Sequence, residues 1–135
     1  MELNKCLISK DKNLLQIDRV CELLKMTYWA NKRDKVTILK SIENSVCYGI
    51  YYDGLQIGFA RVITDYATNF YICDVIIDEQ FQGKGLGKKL IKEICNDNSS
   101  KSLLGLLITD DAHTLYEKFG FEKDSTSFMC KKRNE

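Results

Sequence analysis

A chain of 135 residues, 44% hydrophobic and 29% charged, has material for one core and a well-hydrated surface. A formal net charge of +1 argues against a general nucleic-acid binder, and no apolar run reaches the roughly 18–20 residues of a membrane span. Six dispersed cysteines without a C-x-x-C pair read as reduced thiols, a lone His113 leaves no histidine set for zinc, and "MELNKCLISK" lacks the apolar stretch of a signal peptide; a metal-free, cytoplasmic chain is expected.

In chain order, residues 6–9 read as a short strand. Ile17, Val20, Leu23, Leu24 and Thr27 recur at helical spacing, with Asp18 as the expected N-cap. "TYWANKRD" breaks that pattern, and Asp34 then caps a second helix carrying Ile38, Leu39 and Ile42. The period changes at "VCYGIYY" and "LQIGFARVIT", two strands joined by Asp53-Gly54, a dipeptide suited to a tight hairpin turn. "FYICDVII" is the near-continuous apolar run of a central strand buried on both faces. A glycine-rich stretch follows. Leu86, Leu90, Ile91, Ile94 and Cys95 then form a helical stripe, and "LLGLLIT" reads as another buried strand. "DDAHTLYEKF" is a short helix with Asp110 and Asp111 as expected caps and Gly120 as its stop; "STSFMCKK" closes the chain as a possible last strand. This order predicts one mixed α/β (α+β) domain over residues 1–135, with helices on both sheet faces and one strand–loop–helix–strand crossover of parallel strands.

The stretch "QGKGLGKK" lies between a buried strand and a helix. Unpaired N–H groups and the positive end of the helix dipole favour an anion there, glycines admit it to the backbone, and Lys84, Lys88 and Lys89 add charge. It is not a P-loop: Lys89 stands where a Ser or Thr is required, and Gln82 where the first glycine belongs. Nor is it a dinucleotide fingerprint, whose third glycine falls on Lys88.

Gln82-Gly83-Lys84-Gly85-Leu86-Gly87 fits [R/Q]-x-x-G-x-[G/A] and resembles the coenzyme A pyrophosphate loop of the GCN5-related N-acetyltransferase (GNAT) superfamily. "LYEKFGF" resembles that superfamily's late helix, and Trp29, "DG…IGFARV", "DV" and "DAH-x-LY" are together similar to short, stand-alone bacterial members. The resemblance covers roughly residues 28–121. It implies a mixed, mostly antiparallel sheet with splayed fourth and fifth strands, and acetyl-CoA in the gap. Its pantetheine would lie along Val75, Ile76 and Ile77, and its pyrophosphate against Gln82, Gly83, Lys84, Gly85, Leu86, Gly87 and Lys88. Direct attack of an amine on the thioester is the implied reaction. Tyr116 matches the tyrosine that protonates the leaving thiolate, and backbone N–H groups near Ile77 would meet the oxyanion.

Asp74 is a lone carboxylate in an apolar strand, so it must be paired or open to a pocket; it is a candidate base or ammonium ligand, or a structural group. By strand alternation it shares a face with Phe70, Ile72 and Ile76. Tyr28 and Trp29, beside the first helix, are candidate acceptor-binding residues or anchors of that helix. The partners expected are acetyl-CoA and an amine, with no nucleic acid and no membrane, in a monomer or a homodimer. A small amine is preferred over a protein amino group. A non-catalytic acyl-CoA-sensing module is the alternative.

Overall fold

A computed structural model describes residues 2–134. Five strands form one sheet in chain order: β1 (Leu7–Ser9), β2 (Val46–Tyr52), β3 (Leu55–Thr64), β4 (Asn69–Ile77) and β5 (Leu104–Leu107). The first four pair antiparallel, and β5 pairs parallel to β4, as the crossover requires. Four α-helices flank the sheet: α1 (Ile17–Lys25), α2 (Lys35–Glu43), α3 (Leu86–Asn96) and α4 (His113–Glu117).

The helical stripes meet opposite faces of this sheet. Leu86, Leu90, Ile91 and Ile94 of α3 pack with Ile50, Ile57, Val62, Phe70 and Ile72 on one face. Val20, Leu23 and Leu24 of α1 and Ile38 and Ile42 of α2 pack with Cys47 and Phe59 on the other. The expected layering, with helices on both faces, is therefore present. Asp53 and Gly54 both take positive φ, 51° and 79°, and make the two-residue turn that pairs Tyr52 with Leu55. Asp34 caps α2 by accepting from the Thr37 N–H at 2.8 Å.

Three local expectations are corrected. Asp18 lies inside the first turn of α1 and pairs with Lys35; Gln16 precedes the helix, held by reciprocal bonds with Gln56. Neither Asp110 nor Asp111 caps α4, because the Thr109 hydroxyl takes the N–H of Ala112, the residue before the helix. Residues 125–132 form no strand. Asp124 Oδ1 accepts from the Thr126 and Ser127 N–H groups, which fixes a turn where extended backbone would have to begin.

The sheet also opens. Pairing between β4 and β5 ends at Ile72–Leu107, whereas β4 runs on to Ile77. Past Ile72, the β5-side edge of β4 therefore has no strand beside it.

Candidate active site

The open stretch of β4 leads straight into the glycine loop. A short helical turn, Glu79–Phe81, separates Ile77 from Gln82. Gly83 and Gly85 adopt φ of 77° and 81°, which L side chains rarely take, and Gly85 is the residue from which α3 starts. The first intrahelical bond runs from the Lys89 N–H to the Gly85 carbonyl, and no side chain caps the helix. The N–H groups of Leu86, Gly87 and Lys88 thus have no helical acceptor. Ile77, Gln82, Gly83, Gly85, Leu86 and Gly87 surround a concavity of about 180 Å³. Lys84 and Lys88 are exposed at its margin, where they add long-range charge without lining it. The Gln82 amide turns back and donates to the Ile77 carbonyl at 2.9 Å, closing the loop on the strand that feeds it.

Val75 and Ile77 face the α3 side of the sheet, and Ile76 faces the α1–α2 side. Strand alternation fails just before them. Gly58 and Phe59 pair with Ile77 and Ile76, but Arg61 pairs with Cys73, so Asp74 and Val75 both stand opposite Ala60. This is a β-bulge, and Asp74 has a φ of 55°. Asp74 therefore faces the α1–α2 side with Ile76, opposite to Phe70 and Ile72, which correct its expected facing.

The turned Asp74 carboxylate is only 1% exposed and has three donors. Arg33 Nη1 lies 2.7 Å and Arg61 Nε 2.8 Å from Oδ2, and Trp29 Nε1 lies 3.2 Å from Oδ1. Arg61 also donates to the Ser45 hydroxyl at 2.9 Å. Burial opposes ionisation of Asp74, but the two guanidinium hydrogen bonds outweigh it and hold its pKa below the ordinary carboxylate value. Such a group suits a clamp better than a proton acceptor.

The clamp fixes the loop between α1 and α2 at the opening. Trp29 reaches Asp74 on β4 beyond the split. Neighbouring Tyr28, edge-on to Trp29 with ring centroids 5.0 Å apart, lies beside Asp110, just past the end of β5. Burial and then the Asp110 charge raise the Tyr28 pKa. One loop thus reaches from β4 to the chain just past β5, with Tyr28 and Trp29 still substantially exposed.

Tyr116 is buried in α4, edge-on to Phe121 at 5.9 Å. It packs in the same cluster as Leu86 and Leu90, and Leu115 approaches Gly87, so α4 stands beside the start of α3. Burial first, then the charge of Asp111, push its phenol up to about 12. Tyr116 also lines a cavity of about 890 Å³ with His113, β5 and Phe128. Among the described residues no cluster of potential metal ligands forms, and all six cysteines are free thiols.

Residues 43–123 match the family model for the acetyltransferase (GNAT) domain. The chain belongs to the GNAT acetyltransferase family. A GNAT-family acetyltransferase candidate of known structure from Xanthomonas campestris pv. campestris is 33% identical, with a TM-score of 0.90 over 95% of this chain and 93% of that one. An uncharacterized N-acetyltransferase, ycf52, of Pyropia yezoensis is 30% identical over 86% of this chain and 68% of its own. The PaiA N-acetyltransferase of Thermoplasma acidophilum, solved with coenzyme A, shares the fold at 20% identity, with a TM-score of 0.73 over 90% of this chain and 92% of that one.

In this GNAT chain the sequence motifs and the split sheet coincide along β4 and its loop. Arg33 and Arg61 were not foreseen as site residues. Arg61 left a trace, a lone cation in the apolar run "IGFARVIT" across from "CDV". Arg33 left none, since nothing local distinguishes it from a solvated loop arginine.

Proposed function

We propose that this acetyltransferase moves the acetyl group of acetyl-CoA to a primary amine of a small molecule, by direct attack in a ternary complex. The observation that carries the reading is the coincidence of the β4–β5 opening with the glycine loop at one end and the Trp29 loop at its mouth. Pantetheine would run along the free edge of β4 at Val75, Ile76 and Ile77, using backbone groups as an added strand does. The pyrophosphate would sit at residues 82–88, with the free N–H groups of α3 directed at it. The bulge leaves one residue out of the ladder beside the thioester position, so its N–H is a natural donor to the oxyanion.

The amine nitrogen attacks the thioester carbon, the C–S bond breaks, and the proton lost from nitrogen balances the one gained by sulfur. A thiol has a pKa near 8.5 and Tyr116 one near 12, so full transfer from the phenol is uphill by roughly 3–4 units. Tyr116 is therefore assigned as a hydrogen-bond donor to the developing thiolate, and it stays protonated throughout the neutral range. Asp74 is assigned to hold Trp29, Arg33 and Arg61 in place, not to take the proton. The aromatic faces of Tyr28 and Trp29, with Asp110 beside them, suit an incoming ammonium that deprotonates before attack. A relative named spermine/spermidine N(1)-acetyltransferase, from Bacillus subtilis, is 31% identical over 55% of this chain and 57% of its own, and motivates the small-amine arm of the test.

The test is thiol release from acetyl-CoA across a panel of small amines and lysine peptides. Release with small amines and little with peptides is expected. Release with peptides alone would transfer the reading to a protein acetyltransferase. Tight CoA binding with no release for any amine would leave a non-catalytic acyl-CoA module.

A further inference from the structure

The loop is also gripped from behind, by a charge pair between α1 and the end of β4. Asp78 immediately follows β4 and precedes the turn into Gln82. Its N–H donates to the Ile57 carbonyl at 2.8 Å, and its Oδ1 accepts from the Gln80 N–H at 2.9 Å. Its other oxygen, Oδ2, accepts from Nη2 of Arg19 on α1. Arg19 Nε donates to the Gln56 carbonyl at 2.8 Å, and its Nη1 reaches Glu22 at 3.1 Å. Both partners of the pair are largely buried, with side chains 14% and 11% exposed. Gln56, fully buried, binds the backbone at the start of α1 through Gln16.

We propose that Arg19 and Asp78 form a latch that sets the height of the pyrophosphate loop above the sheet, making both positioning residues for the cofactor. The reasoning is geometric. Besides the backbone bond from Asp78 to Ile57, two side-chain hydrogen bonds anchor the loop at its entrance, the Gln82 amide on Ile77 and the Asp78 carboxylate on Arg19. The first holds the loop to its own strand. The second holds it to α1, the helix that leads into Tyr28 and Trp29. Without the Arg19 contact the turn from residue 79 onward keeps its bonds to its own strand and loses its tie to α1. The N–H groups of α3 then lose their fixed aim, and an anion held by backbone dipoles is sensitive to displacements of about an ångström. A pair that only stapled α1 to the sheet would affect stability and leave the loop's affinity alone.

The inference rests on the cofactor reading above, and the experiment separates the two. Coenzyme A binding is measured by calorimetry for the wild type, Arg19→Met, Arg19→Lys and Asp78→Asn, with inorganic pyrophosphate as a competitor and thermal melts alongside. The wild type should bind CoA and be competed by pyrophosphate. Arg19→Met and Asp78→Asn should weaken both ligands in parallel, on the order of tenfold. Arg19→Lys should lie between, because an ammonium restores the charge without the fork that spans Gln56 and Asp78. Should Arg19→Met fail to fold, the two conservative variants carry the same comparison. Variants with lowered melting temperatures and unchanged affinities would overturn the latch alone. So would a loss for CoA without a matching loss for pyrophosphate. A wild type that binds neither ligand would overturn the cofactor reading itself.

Discussion

Asp74 is buried with both carboxylate oxygens occupied by donors, and that occupancy governs what it does at neutral pH. Removing one partner of such a pair strands the other charges, at a cost of about 3–5 kcal/mol, so Asp74→Ala should lower the melting temperature sharply. Asp74→Asn should fold with less loss. Its kcat/KM should still rise with pH as in the wild type, because the residue is not the titrating base. Disappearance of that rising limb in the Asn variant would restore Asp74 to proton transfer. Tyr116 is judged by a different readout. Tyr116→Phe removes one hydroxyl from a packed ring, so the Phe121 contact and the CoA affinity should survive. Turnover should fall on the order of a hundredfold, the lower range for a positioned proton or hydrogen-bond donor. Unchanged turnover would remove Tyr116 from the mechanism. Tyr116 was legible from "LYEKFGF"; the facing of Asp74 was not, because one residue at positive φ shifts a strand's alternation without marking the sequence.

Among the elements, the glycine loop and α3 act as one device. A Cβ added to Gly85 would meet nothing within 4 Å, so the cost of Gly85→Ala comes from backbone conformation alone, about 1–2 kcal/mol at φ 81°. The variant can relieve that strain only by turning the loop, which misaims the first N–H groups of α3. CoA affinity should therefore fall more than stability does, and parallel calorimetry and thermal melts check the comparison. The elements that were legible are those with strong local signals. Asp53-Gly54 suits positive φ, and α3 carries a long apolar stripe ending in Ile94. The segment after Asp124 forms no strand because strand formation depends on a partner's edge, and a local Asx turn competes successfully with it. The Asp18, Asp110 and Asp111 caps failed for a related reason. Capping depends on where the chain enters the helix, and Gln56 and the Thr109 hydroxyl set those entries.

Across the whole molecule, buried carboxylates tie separate elements together: Asp74 joins β4 to the α1–α2 loop, and Asp78 joins the glycine loop to α1. Against the effect of burial, the Arg33 and Arg61 guanidiniums at Asp74, and the Gln80 N–H and then Arg19 at Asp78, hold both pKa values below their ordinary value. Between the folded and unfolded pKa values the unfolded chain binds more protons, so stability rises with pH there. The contribution is fully present above about pH 4 and is lost as the pH falls through the folded values. Melting temperature should therefore stay level from pH 7 to about 5 and drop below 4, and Asp78→Asn should make that drop shallower. The sequence by itself determined the order of elements, the two apolar stripes that cover opposite faces of the sheet, the hairpin, and the glycine loop with its family. Each is written in neighbouring residues, through periodicity, turn chemistry and spacing. Only the tertiary structure decided that β4 and β5 part after Ile72, that a bulge turns Asp74 toward Arg33, Arg61 and Trp29, and that Arg19 reaches Asp78. Those pairings join residues 13 to 59 positions apart, and a charge in a sequence does not name its partner until the chain has folded around it.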